Sequence, residues 1–344
     1  MSPAANSAYR QAGVDIDAGN RAVSLMAEAV RSTYGPEVLA GIGSFGGLYS
    51  AAGLCQLKHP VLVASTDGVG TKTMLATRVG RFEGLGQDIV NHCINDVLVQ
   101  GAAPLFFLDY IAAPRLQPEV IAAIVSGMAQ ACRQAHCAIL GGETAEMPGV
   151  YHEGQLDIVG TMIGVVDREE IIDGRDIVPG DQLIGLPSSG PHTNGYSLIR
   201  RVLGDVDLQQ VLPELGVSLA DALLAPHRSY LEDVRRIRSG PRVKGLVHIT
   251  GGGFHDNIPR VLPSGTAAIV RRGSWAVPPL FRLLQDMGEV SDDEMYRVFN
   301  MGVGMIVVVA QDTLGQALAL AGPGAAHIGK VVAQTDAPVV FAQD

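Results

Sequence analysis

Residues 65–73 read STDGVGTKT, and the apolar run PVLVA at residues 60–64 delivers them. An acid, two glycines, two threonines and a lysine within nine positions after such a run have the grammar of a strand leading into a binding loop. Gly68 and Gly70 let the backbone approach a bulky anion. Asp67 can hold a divalent cation, and Lys72, beside Thr71, offers a point charge to phosphate. The stretch looks like half of a nucleotide site. A glycine turn between a buried strand and a helix is an equal alternative on these residues alone. A Walker A loop is excluded, because GxxxxGK[ST] occurs nowhere in the chain.

With 344 residues, 47% of them hydrophobic, two domains with sizeable cores are the natural expectation. No apolar run approaches the roughly 20 residues of a membrane helix, and MSPAANSAYRQAG lacks an apolar signal core, so a cytoplasmic protein with no membrane partner is expected. The four cysteines show no CxxC or paired ligand spacing, three of them lie in apolar or helical contexts, and buried thiols in a reducing compartment are the favoured reading. A net charge of −10 and a pI near 5.3 argue against a nucleic-acid footprint. Phosphorylated ligands would then be neutralised locally, and lysine is scarce: Lys58, Lys72, Lys244 and Lys330 are the only ones.

Going outward from the opening stretch, residues 1–20 read as a polar arm and residues 21–33 as a helix. GIGSFGG at residues 41–47 satisfies GxGxxG, but a dinucleotide fingerprint needs a strand directly before it and a helix directly after. A mobile glycine-rich loop is the better reading, or a lid over a phosphate site. Residues 83–100 read as a helix stopped by Gly101, with Leu85, Ile89, Cys93 and Val97 on one face and Asp88, His92, Asn95 and Asp96 on the other. Such a polar face is commonly solvated; next to a phosphate loop, a metal role for Asp96 is favoured.

Residues 105–111 read as a buried strand and 118–135 as a helix. Residues 137–140 read as a short strand ending in a GG turn that carries Glu143 and Glu146, and 156–166 as a long strand. This strand and helix alternation is an α/β arrangement, with a boundary placed over residues 169–181. The second half has a strand at 182–186 and then SSGPHTNGYSLIR at 188–200, a helix start suited to anions in which His192 reads as a ligand contact or proton donor beside Asn194. Strand 246–249 leads to TGGGFHDNIPRVLP, where Gly251, Gly252 and Gly253 permit close approach to a phosphate.

VASTDGVGTK, NDVLVQGAAPLFFLDY, GGETAEMPGVY, SSGPHTNGYSLIR, HITGGGFHDNIPRVLP and EMYRVFNMGVGM, in this order, resemble the phosphoribosylformylglycinamidine cyclo-ligase family, also called aminoimidazole ribonucleotide synthetases. The resemblance runs from about Tyr9 to about Met305. It implies ATP-dependent closure of an imidazole ring on formylglycinamidine ribonucleotide, with Mg²⁺. It also implies an N-terminal α/β domain (residues 1–170) whose sheet pairs across a homodimer interface, and a C-terminal α/β sandwich (residues 171–344). The chemistry assigns Asp67, Asp96 and Glu143 to metal, Lys72 to the ATP phosphates, and His192 with Asn194 to proton transfer or phosphate contact. Lys72, Asp96 and His192 are the catalytic candidates. Gly68, Gly70 and Thr71 join Gly251–Gly253 as ligand-facing backbone. Some relatives carry a lysine on the first helix; none precedes Lys58 here, so that contact is not carried over. Within the superfamily, thiamine-monophosphate kinase is the enzyme alternative, and a non-catalytic nucleotide sensor is the alternative of another class.

Overall fold

Asp15 caps the first described helix, accepting from the Asp17 and Ala18 N–H groups, and α1 runs Ile16–Arg31. The helix thus starts inside the segment whose polarity suggested an arm, because an aspartate cap outweighs mean composition. The computed structural model describes residues 13–334 and 336–342; the expected arm over residues 1–12, with Tyr9, lies outside them. Among the described residues there are two compact units, one comprising those up to Val97 with Ala102–Arg168, the other Leu98–Gly101 with those from Glu169 onward.

In the first unit, β1 (Val38–Ala40) and β2 (Leu48–Tyr49) form an antiparallel hairpin whose loop is GIGSFGG. A strand follows the glycines, so the dinucleotide fingerprint fails on its second half. A side chain at Gly41 would meet the Tyr34 ring and one at Gly47 would meet Leu140, whereas Gly43 and Gly46 face open space. The loop is therefore pinned at both ends and open in the middle.

Next come β3 (Pro60–Gly68), α2 (Lys72–Val79), α3 (Glu83–Leu98), β4 (Ala103–Ala113), α4 (Pro118–Gln134), β5 (Ala138–Glu146) and β6 (Asp157–Asp167). The sheet order is β3-β6-β4-β5, antiparallel except for the parallel β4–β5 pair. The expected short strand at 137–140 runs on through GGETAE to Glu146, since β4 pairs with it from Phe106↔Ala138 to Ala113↔Glu146. A neighbouring ladder supplies the hydrogen bonds that the two glycines alone would not hold in register.

α3 is buried on both faces. Leu85, Ile89, Cys93 and Val97 are at most 1% exposed, and Asp88, His92 and Asn95 on the opposite side are at most 3% exposed. This polar face, of a kind commonly solvated, is here an interior surface. Its placement depends on glycine: a methyl at Gly86 would overlap the Ile124 carbonyl of α4, and one at Gly127 would overlap the Glu83 carbonyl. The two helices touch backbone to backbone.

The second unit contains β7 (Gln182–Pro187), α5 (Tyr196–Leu203), α6 (Leu219–Leu224), α7 (Leu231–Arg238), β8 (Val243–His248), α8 (Gly253–Asn257) and β9 (Thr266–Arg271). It continues with α9 (Pro279–Gly288), α10 (Asp292–Val298), β10 (Val303–Val309), α11 (Leu314–Ala321), β11 (Ala326–Ala333) and β12 (Val339–Ala342). Its sheet order is β12-β9-β11-β7-β10-β8, with β12 parallel to β9 and the other pairs antiparallel. Every residue of β10 is buried, as a continuous apolar run requires when both sheet faces are covered.

Gly86→Ala and Gly127→Ala are each expected to destabilise the first unit by about 3 kcal/mol, the upper part of the usual overpacking range. Urea denaturation checks this; a loss below about 0.5 kcal/mol, the scale of an ordinary surface substitution, would contradict the backbone contact.

Candidate active site

β3 delivers Asp67 next to the polar face of α3. His92 Nε2 lies 3.0 Å from Asp67 Oδ2 and 3.5 Å from Asp96 Oδ2, and the Ser65 hydroxyl donates to Asp96 Oδ2 at 2.9 Å. Burial pushes the Asp67 carboxyl upward, but the His92 ring and the Gly68 N–H outweigh it and hold it below the usual carboxylate value. His92 is the converse: burial lowers it, while Asp67, Asp96 and Asp88 raise it above an ordinary histidine. The cluster sets an imidazole between two carboxylates, and Asp67 keeps 46% of its side chain exposed.

The turn after Asp67 is as open as the sequence suggested. Gly70 has φ +69° with nothing near the position a side chain would take, Gly68 is similarly uncrowded, and Thr71 is the N-cap of α2. Lys72 is different. It is fully buried, with Nζ 2.9 and 2.8 Å from the two Asp88 carboxylate oxygens. Burial lowers its pKa against the opposing pull of Asp88. The lysine expected to meet phosphate instead ties the start of α2 to α3 beneath the loop.

Glu143 also departs from expectation. Across the sheet, Gly68 pairs with Val159, Val159 with Tyr110 and Tyr110 with Glu143. Three strand spacings, about 14 Å, separate Glu143 from the end of β3. One ion with oxygen ligands near 2.1 Å cannot be held by Asp67 and Glu143 of the same chain. Glu143 instead lines a cavity of about 670 Å³ bounded by α1, the GIGSFGG loop, β4 and β5. Asp109 lines it too, its pKa pushed up to about 7 by burial and by the Glu143 charge. Phe45, at the loop tip, is fully exposed. Glu146 is structural: it accepts from the Leu116 and Asp15 N–H groups.

In the second unit, the SSGPHTNG loop follows β7. Asn300 braces it, donating to the Gly190 carbonyl at 2.8 Å and accepting from the Ser188 hydroxyl and the Gly302 N–H, both at 2.9 Å. His192 is 1% exposed and adopts φ +62°. Asn194 Nδ2 is shut off from solvent with no hydrogen-bond partner among the described residues. Of the three glycines after Thr250, two serve packing: Gly252 has φ +88° against Asp256, and a side chain at Gly253 would overlap the Tyr296 carbonyl. Gly251 meets only ordinary contact, with Asn194 Oδ1, so its bare backbone is the one that packing leaves unexplained. Asn257 fixes the turn by donating to the Gly253 and Gly251 carbonyls. Asn257 and Asn300 escape sequence reading, although Asn257 follows the three glycines and Asn300 stands just before MGVG, where asparagine commonly braces a turn. His227 and His248, close to His192, have no sequence signal at all.

Residues 50–166 match the family described as AIR synthase related protein, N-terminal domain, and residues 178–341 match its C-terminal domain. Phosphoribosylformylglycinamidine cyclo-ligase of Desulfitobacterium hafniense is 51% identical over 331 residues, 95% of this chain and 97% of its own. That of Geobacillus kaustophilus is 50% identical over 309 residues, 89% of each. Among solved structures, E. coli HypE aligns with TM-score 0.69 at 22% identity, covering 94% of this chain and 93% of its own. Thiamine-monophosphate kinase from Stenotrophomonas maltophilia aligns with TM-score 0.68 at 18% identity over 92% and 95%. A HypE in complex with ATP aligns with TM-score 0.66 at 20% identity over 94% and 91%. These three share the fold. The chain belongs to the phosphoribosylformylglycinamidine cyclo-ligase family, a family of ligases.

Asp109 yields a pH prediction. A carboxyl raised in the folded state contributes stability that is present below its unfolded pKa and lost as pH climbs toward 7. Asp109→Asn should therefore melt with the wild type near pH 4 and roughly 8–16 °C above it at pH 8.5, for an effect of about 4 kcal/mol. Calorimetry in chelator measures this, and a difference that does not change with pH would sink it.

Proposed function

We propose that the protein closes the imidazole ring of 5-aminoimidazole ribonucleotide at the expense of ATP. The formyl amide oxygen of formylglycinamidine ribonucleotide is phosphorylated, and the amidine nitrogen then displaces phosphate, with ADP released at the first step. The Asp67–His92–Asp96 cluster at the end of β3, in a chain 51% identical to cyclo-ligases, carries this reading. An amide oxygen is a poor leaving group, and phosphorylation divides one hard displacement into two easier ones.

Asp67, Asp96 and the Ser65 hydroxyl offer an oxygen donor set of the kind Mg²⁺ prefers, on carboxylates still partly open to solvent. Mg²⁺ supplies neutralisation of charge on the phosphate oxygens. The open backbone at Gly68, Gly70 and Thr71 admits the phosphates, and Lys72 orients this loop from below. The cavity beneath GIGSFGG takes the nucleoside, with Phe45 folding over it and Asp109 and Glu143 in its wall. A HypE solved with ATP shares this fold, which supports nucleotide use. The bare Gly251 backbone, Asn194 and His192 hold the phosphorylated substrate, Gly252 and Gly253 shaping that turn.

The protein works as a cytoplasmic homodimer in purine biosynthesis. On β3 the side of the first sheet that carries Leu62, 62% exposed, offers an apolar surface suited to a second copy.

Purified protein given formylglycinamidine ribonucleotide, ATP and Mg²⁺ should release ADP and aminoimidazole ribonucleotide in equal amounts. ADP without the imidazole would overturn the substrate assignment and make thiamine monophosphate the next substrate to try. Asp96→Asn should lower kcat by about 100-fold or more with the melting curve unchanged, in line with loss of an electrostatic stabiliser. Light scattering should give a dimer, and Leu62→Asp a monomer.

A further inference from the structure

His192, His227 and His248 meet inside the second unit, all at most 6% exposed, with ring nitrogens within 4.8 Å of one another. A metal tripod is the first thing such a group suggests. The ring geometry argues against it: His192 and His227 are stacked, centroids 3.9 Å apart and planes 17° from parallel. Imidazole lone pairs lie in the ring plane, so two stacked rings cannot both point at one ion about 2.0–2.1 Å from each.

The hydrogen bonds suggest another use. His192 Nε2 accepts the Ser189 N–H at 3.3 Å, which places the proton of the neutral ring on Nδ1. His227 Nε2 and His248 Nε2 are 3.0 Å apart. Two bare lone pairs would repel at that distance and two N–H groups would collide, so one proton lies between them. His227 is thereby fixed in plane, and His192 rests on its face. The Ser189 hydroxyl donates to the Pro226 carbonyl at 2.6 Å, tying the His192 loop to the segment that carries His227. On another side, a side chain at Gly304 would overlap Tyr230 Oη and approach His192 Cε1, so glycine there makes room for the ring.

We propose that His227 and His248 are positioning residues for His192. The proton they share locks the plate on which His192 lies and keeps Nδ1–H as its donor to an anionic oxygen of the phosphorylated substrate. This rests on the reading that the loops of the second unit take that substrate.

The test uses the full-length protein with ¹⁵N-labelled histidine, without nucleotide, so that it does not depend on activity. Imidazole NMR should show His192 protonated at Nδ1 and bare at Nε2, and one protonated and one bare Nε2 in the His227–His248 pair. In His248→Phe the His192 tautomers should mix, and kcat should fall about tenfold with KM for formylglycinamidine ribonucleotide within about twofold, at the lower edge of a proton-transfer effect. His248→Gln, which restores an N–H donor, should recover most of kcat. A wild-type His192 protonated at Nε2, one equivalent of tightly bound zinc, or a His248→Phe variant with unchanged spectrum and kcat would each overturn the proposal. Expected spectra in a wild type with no cyclo-ligase turnover would overturn the reaction assigned above and leave the tautomer lock supported.

Discussion

The buried ion pair between Lys72 and Asp88 is the constraint on which the first unit depends. Both side chains are wholly removed from water, and neither could be left there without the other. Lys72 is the first residue of α2 and Asp88 lies one turn above His92 on α3. The pair therefore sets the distance between the turn that follows Asp67 and the helix that carries His92 and Asp96. The glycine crossing of α3 on α4 holds the same helix from behind. The acidic cluster at the end of β3 results from these two contacts, one electrostatic and one steric.

The division into two sheet-bearing halves, most strands and helices, and the motif loops were legible because they rest on local signals: apolar runs, caps and glycine stops. What escaped was set by tertiary partners. β5 outruns its glycines because β4 pairs with it, and α3 hides its polar face because Lys72 enters the same interior. Lys72 shows the same dependence on a tertiary partner. A lysine after a glycine turn suggests phosphate, and only the position of Asp88, sixteen residues later, redirects it. Glu143 was grouped with Asp67 by motif chemistry, and the strand order separates them.

Glycine is used in two ways in this chain. Gly86, Gly127, Gly252 and Gly253 are required by packing, whereas Gly43, Gly46, Gly70 and Gly251 meet open space or ordinary contact. The second group lies in the hairpin loop, the Asp67 turn and the Asn194 loop region. In the second unit, Asn257 and Asn300 hold such loops through backbone carbonyls, so that precision comes from buried amides and not from regular structure.

A double-mutant cycle on Lys72 and Asp88 bears most directly on this arrangement. Lys72→Met should cost about 3–5 kcal/mol by leaving Asp88 buried and unpaired. Adding Asp88→Leu should recover most of that loss, with nucleotide affinity close to wild type in the double variant. A Lys72→Met protein of unchanged stability that binds ATP far more weakly would contradict it, and would return Lys72 to the phosphates.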